Sequence, residues 1–171
     1  MSQTIRIREA GTTDRPALED CVAELQAFEQ SIEPNRVDPA AIRGIYLNDL
    51  LAECSQKSGS ILVAELAGRV VGFVCVLCRV DSQDIIEKER EHAYITDLVV
   101  LESFRRSGAG AELMRAAETL AQSRGATRIR VGVLVANSGA HRLYHKLGYS
   151  DQAVELEKRI DAAHQGTGRA E

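Results

Sequence analysis

From Ala93 to Gly110 the chain reads AYITDLVVLESFRRSGAG, passing from an apolar, β-branched run through a short polar turn into a glycine-bearing segment that opens a helix. Beyond Gly108 the residues Leu113, Met114, Ala117, Leu120 and Ala121 recur on one side of that helix. Glu112, Arg115, Glu118 and Gln122 fall largely on the other, and Gly125 is placed to end it. Thr127 to Val135 is a further β-branched run, and the order strand, helix, strand makes it a parallel neighbour of the first.

The rest of the chain fits around this unit. Thr4 to Glu9 alternates apolar and charged residues as a half-buried strand does. Thr12 or Thr13 offers a cap for a first helix running to about Gln30, with Leu18, Val22, Leu25 and Phe28 as its apolar stripe. Asp38-Pro39 starts a second helix, carried by Ile42, Ile45, Tyr46, Asp49 and Leu50 to about Cys54. Ile61–Leu66 and Val70–Cys78 form a hairpin around Ala67-Gly68-Arg69, and His92–Leu101 pairs next, because the links are too short for helical crossovers. The charged segment Val80 to Glu91 is an exposed connection. Asn137 caps a short helix that Gly148 ends, and Tyr149 to Ile160 is expected to hold one or two final strands. The expected fold is α/β: a mixed, mainly antiparallel twisted sheet of about six or seven strands with helices on both faces. Residues 1–160 form one domain in this reading, and 161–171, with little to bury, a mobile tail.

A net charge of -4 gives no footprint for nucleic acid or an anionic membrane, so any polyanion must be held by local donors. The longest apolar run, Val70 to Cys78, is too short to cross a bilayer, and the N-terminus lacks a secretory pattern; a cytoplasmic location is expected. Cys75 and Cys78 sit three apart on a strand and therefore face opposite sides, which argues against a shared metal. His141 and His145 are four apart on one helical face, but no glutamate follows His141, so no metal is expected and His92, His141 and His145 are read as surface or rim residues.

The N-H groups that open a helix have no intrahelical partner and carry partial positive charge, which suits an anion. Gly108 and Gly110 let phosphate oxygens approach the main chain, while Arg105 and Arg106 can donate at the rim. A tight turn into a helix would use the same glycines. A dinucleotide fingerprint would need glycine at Leu113, and a P-loop would need lysine followed by serine or threonine, so neither nucleotide motif fits.

The segment Arg105–Gly110, RRSGAG, resembles the R/Q-x-x-G-x-G/A acetyl-CoA signature of the GNAT superfamily of N-acetyltransferases. NSGAHRLYHKLGY, from Asn137 to Tyr149, resembles that family's second motif of asparagine, alanine (Ala140), tyrosine (Tyr144), glycine and aromatic. The resemblance implies an acetyl-CoA-dependent N-acetyltransferase working by direct attack of an amine, with acetyl-CoA as cosubstrate and a small-molecule or peptide amine as acceptor. It also implies that Leu98, Val99 and Val100 lie on a splayed strand whose backbone holds the pantetheine arm, with a backbone N-H near Leu98 or Val99 facing the thioester oxygen. Arg105, Arg106, Ser107, Gly108, Ala109, Gly110 and Ala111 then wrap the pyrophosphate, and Asn137 bonds the pantetheine arm or simply caps its helix. Tyr144 is the expected general acid, a phenol protonated at neutral pH, unless it only packs its helix. Thr96 stands where some relatives have a glutamate base, leaving Asp97 as base or as a structural partner at a bulge. Glu24, Glu29, Glu33, Asp38, Asp49, Asp84 and Glu87 either attract a cationic acceptor or form a solvated acidic face. Family members often dimerise, although no feature here defines a homodimer surface. A CoA-binding sensor or scaffold without catalysis is the competing reading.

Overall fold

Ala67 and Gly68, both at positive φ (50° and 77°), turn the chain through a two-residue hairpin whose twist suits paired strands. The computed structural model describes residues 4–158 apart from residue 84. Around the hairpin it places β1 (Arg6–Glu9), β2 (Ser60–Leu66), β3 (Arg69–Asp81), β4 (Glu91–Val100) and β5 (Ile129–Val131) in one sheet, in that spatial order. The first three pairings are antiparallel, as the short links require for β2–β3 and β3–β4, and β4 with β5 is parallel across the α4 crossover, once α4 (Ala109–Ser123) is placed between them. Helices α1 (Arg15–Ile32) and α2 (Pro39–Gln56) cover one face. One turn, α3 (Glu87–Arg90), precedes β4, while α4 (Ala109–Ser123) and α5 (Ser138–Lys146) cover the other face.

β3 is buried on both sides, which explains its unbroken apolar run. Val71, Val74, Val76 and Cys78 pack toward α4, whereas Val70, Phe73, Cys75 and Leu77 pack toward α1 and α2. Cys75 and Cys78 do face opposite sides. Instead, the Cys75 thiol lies 3.5 Å from that of Cys54 on α2, and all four cysteines are buried and free. No helix among the described residues is long and apolar enough to cross a membrane.

The sheet departs from expectation at its far edge. Of the run Thr127 to Val135 only Ile129–Val131 pairs, and no strand follows α5 among the described residues, so the sheet has five strands rather than six or seven. In the segment expected to hold the final strands, Val154 and Leu156 are both exposed, and β5 is only three residues long. Ile160 and residues 161–171 lie outside the described residues. On α2 the buried positions are Leu47, Leu50 and Cys54, and Ile45 faces solvent; Cys21 joins Leu18 and Val22 on α1.

The entrance to α1 is held by charge. Neither Thr12 nor Thr13 caps it; these residues form a 3-10 turn, and Asp14 accepts from Gly11 N-H (2.7 Å) and from both terminal nitrogens of Arg8 (2.6 and 2.9 Å). Arg8 also reaches Glu65 on β2 (2.9 Å), tying β1, β2 and α1 together. The Arg8 hydrogen bonds, aided by Gly11 N-H, hold the Asp14 carboxyl down at about 2, against desolvation that would raise it. A lowered carboxyl stabilises the fold above its unfolded value near 4, and that stabilisation is lost as pH falls toward 2. Asp14→Asn should therefore cost about 1–2 kcal/mol in urea unfolding at neutral pH, with the difference from the parent closing between about pH 4 and pH 2. An unchanged midpoint at neutral pH would remove this network from the account.

Candidate active site

Cys75 pairs with Asp97 and Val76 with Ile95, so Thr96 is an extra residue in β4 with no counterpart on β3. This bulge reverses the facing of everything after it. Ala93 and Ile95 point into the α4-side core; past the bulge Val99 turns to the α1 and α2 side, and Leu98 and Val100 pack on the α4 side. Asp97, which unbroken alternation through Thr96 would place on the face of Ile95, instead meets Tyr46 of α2.

β5 pairs with β4 only over Ala93–Ile95 and then diverges. Gly132 marks the departure, with the Tyr94 hydroxyl where its side chain would be, 2.9 Å from a Cβ built there. Leu101 N-H donates to Val71 C=O (2.9 Å). Strand alternation then turns the backbone groups of Val99 toward β3 and those of Leu98 and Val100 toward the edge that β5 has left. A short length of strand with outward-facing N-H and C=O groups is open to an extended ligand.

At the end of this edge stands the start of α4. Gly108 holds φ at 96°, a conformation that strains any other residue, and Ser107 Oγ accepts from Ala109 N-H at 3.3 Å. The first-turn N-H groups of Gly110 and Ala111 have no acceptor within the helix. The two glycines do different work: a Cβ on Gly108 would meet nothing within 4 Å, whereas one on Gly110 would lie 3.3 Å from Leu143 of α5 and 3.7 Å from Val100. Gly110 thus lets α4, α5 and β4 close on one another. Arg106, at φ 62°, is exposed. Arg105 is turned to α1: it bonds Val100 C=O (3.2 Å), sits 3.5 Å from Glu24 and lies over the Phe28 ring (5.5 Å).

α5 faces the same edge. Asn137 Oδ1 accepts from Ala140 N-H (3.1 Å), a helix cap that leaves its amide nitrogen uncommitted. Tyr144 is buried against the α4-side core, and its hydroxyl donates to no described residue. Burial, and then the nearby charge of Asp97, push this phenol up to about 12, so it stays protonated at any ordinary pH. Asp97 is 6% exposed; its Oδ1 accepts from the Tyr46 hydroxyl (2.9 Å) and its Oδ2 is buried without a partner. Desolvation raises the Asp97 carboxyl, with Tyr46 and Thr96 opposing. Glu29 of α1 is raised as well, chiefly by burial. Tyr144 is near enough to Asp97 for that carboxylate's charge to raise the phenol.

The Acetyltransferase (GNAT) family matches residues 23–149, from the middle of α1 through the end of α5. The chain belongs to this family. A Methanocaldococcus jannaschii protein described as an uncharacterized N-acetyltransferase is 38% identical over 92 residues, which is 54% of this chain and 39% of that protein. The chain thus matches well under half the length of that relative. An N-alpha-acetyltransferase of Sulfurisphaera tokodaii is 26% identical over 135 residues, 77% of this chain and 80% of that one. Among solved structures, an aminoglycoside N-acetyltransferase in complex with CoA superposes with a TM-score of 0.69 at 14% identity, covering 95% of this chain and 98% of the other, a likeness of fold.

Within this GNAT chain, sequence reasoning missed Tyr46, Thr96 as the bulge residue, and the clamp of Glu24 and Phe28 on Arg105. Tyr46 lay in an apparent apolar stripe, and nothing marked its hydroxyl as the partner of Asp97. Several of the expected acidic groups are already occupied. Arg36 bonds Glu29 (2.6 Å) and Glu33 (2.8 Å), Asp38 caps α2, and Asp84 lies outside the described residues. His92, read as a surface or rim residue, is buried, with Nδ1 3.3 Å from Arg90 C=O.

A raised Asp97 favours folding below its unfolded value and loses that contribution as pH rises through the folded one, where a desolvated charge appears. Asp97→Asn, which keeps an acceptor for Tyr46, should match the parent near pH 4 and exceed its unfolding stability by about 1 kcal/mol near pH 8. A loss of stability at the higher pH would mean that the charge itself is held by the fold.

Proposed function

We propose that the protein transfers the acetyl group of acetyl-CoA to a primary amine of a small molecule or peptide by direct attack. The observation that carries this reading is the parting of β5 from β4 after Ile95, which leaves an open strand edge leading to the start of α4. Acetyl-CoA supplies an acetyl group already activated as a thioester. The fit rests on donor chemistry: the outward backbone groups of Leu98 and the N-H of Val100, whose C=O accepts from Arg105, suit the amides of a pantetheine arm, and the Gly108–Ala111 turn suits a pyrophosphate. The CoA bound to the aminoglycoside enzyme of like fold is consistent with it.

The geometry supports the following division of roles. Leu98 N-H, on the open edge, is the donor suited to charge developing on the thioester oxygen. Ser107, Gly108, Ala109, Gly110 and Ala111 receive the pyrophosphate; Arg106 is the free cation beside them, and Arg105 shapes the loop from behind through Glu24. Asn137 retains its amide N-H groups for the pantetheine arm while capping α5. Tyr144 holds the proton for the departing thiolate, and Asp97, with Tyr46 behind it, is the carboxylate nearest to take one from the amine. The acceptor approaches from the side of α1 and α2, where Asp97 offers a buried carboxyl with one oxygen unpartnered. A cytoplasmic setting belongs to the same reading.

Release of free CoA thiol from acetyl-CoA across a panel of polyamines, aminoglycosides and peptides with free N-termini tests this directly. Turnover with at least one amine is expected. Tight CoA binding without turnover on any of them would favour the non-catalytic sensor or scaffold. In an active pair, Tyr144→Phe should lower kcat by about 100-fold or more and leave CoA affinity essentially unchanged. Equal turnover would remove Tyr144 as the acid.

A further inference from the structure

α5 turns its buried face, with Tyr144, to the core and carries His141 and His145 four residues apart on another. Gly148, at φ 95°, reverses the chain after the helix and brings Asp151 back over them. His141 Nε2 lies 3.0 Å and His145 Nε2 3.2 Å from the same oxygen, Asp151 Oδ1. The imidazole rings meet edge to face with centroids 4.5 Å apart, and one ligating atom from each of the three residues falls within 4.8 Å of the others. The spacing of the histidines is visible in the sequence; the carboxylate joins them only through the turn at Gly148.

We propose that His141, His145 and Asp151 form a binding site for a first-row divalent cation, zinc above all, with three protein ligands and an open position. Two imidazoles and one carboxylate are a donor set that suits zinc, copper or nickel and is poor for magnesium or calcium, which prefer oxygen alone. Zinc bonds nitrogen and oxygen at about 2.0–2.1 Å, so ligand atoms around a tetrahedral ion stand about 3.3 Å apart. The separations of 3.0 and 3.2 Å are within a few tenths of an ångström of that spacing. Without metal, Asp151 Oδ1 hydrogen-bonds His141 Nε2 and lies 3.2 Å from His145 Nε2. With it, each Nε2 offers its lone pair while the ring proton resides on Nδ1, so no backbone rearrangement is needed. Side-chain exposures of 40%, 45% and 66% give an ion direct access and keep the remaining position open to water or to a ligand atom from another molecule. Zinc bound here would fasten the segment after Gly148 to the helix that carries Tyr144.

The site is independent of acetyl-CoA and can be tested without it. Tag-free full-length protein should be titrated with zinc alone, by calorimetry and by competition with a chromophoric chelator. One zinc per chain is expected, with affinity falling at least tenfold in His141→Ala, in His145→Ala and in Asp151→Asn. All three side chains are well exposed and alanine favours a helix, so the variants should fold, which circular dichroism checks. Cobalt in place of zinc should give visible d–d absorption that the paired variant His141→Ala/His145→Ala lacks. No saturable zinc binding would overturn the proposal. So would binding unchanged in the paired variant, which would point to the buried thiols.

Discussion

The extra residue that Thr96 inserts into β4 decides which side chains and backbone groups face the strand edge that β5 leaves open. One residue against none on the opposite strand turns Asp97 away from the α4-side core and toward Tyr46, and turns Leu98 and Val100 toward α4 and α5. The bulge is tolerable because β3 resumes its pairing with β4 at Cys75–Asp97 while β5 withdraws on the other side, so the strain of an irregular strand is not imposed on two neighbours at once. From that single irregularity come an open strand edge, a carboxyl on one side of it and a phenol on the other.

An acidic chain has to hold a polyanion by position rather than by net charge. The site proposed at the start of α4 uses main-chain N-H groups, and three features of different kinds hold that turn in place. Gly108 provides a conformation that other residues adopt at a cost of about 1–2 kcal/mol. Gly110 permits α5 and β4 to approach the helix closely, and Glu24 of α1 anchors the preceding loop through Arg105 and the Glu102 N-H. Arg105, which looks in the sequence like a phosphate ligand, is occupied on the far side of the loop and serves as its brace.

Local signals explain what could be read in advance. The Ala67-Gly68 turn, the Asp38-Pro39 start of α2, the Asn137 cap and the glycines ending α4 and α5 are determined by residues within a few positions, and each lies where expected. Local pattern misled in two places. Ile45 continued a stripe that α2 does not bury, and the segment after Tyr149, where final strands were expected, leaves Val154 and Leu156 exposed. The bulge was anticipated for this strand from family resemblance, but its position at Thr96 follows from the register with β3, a long-range property. Tyr46 reaches Asp97 across 51 positions, and Asp151 meets His141 and His145 only after a turn. Contacts of that kind leave no periodic trace.

The central claim is that the edge of β4 beyond Ile95 and the first turn of α4 hold one ligand between them. Amide hydrogen exchange with and without CoA, resolved to single residues, tests it most directly. The account predicts that CoA slows exchange at Leu98 and Val100 and at Gly110 and Ala111, and leaves Val99, already turned to β3, unaffected. Protection confined to another surface, such as the groove lined by Glu118, Gln122 and Thr127 at the far end of α4, would contradict it.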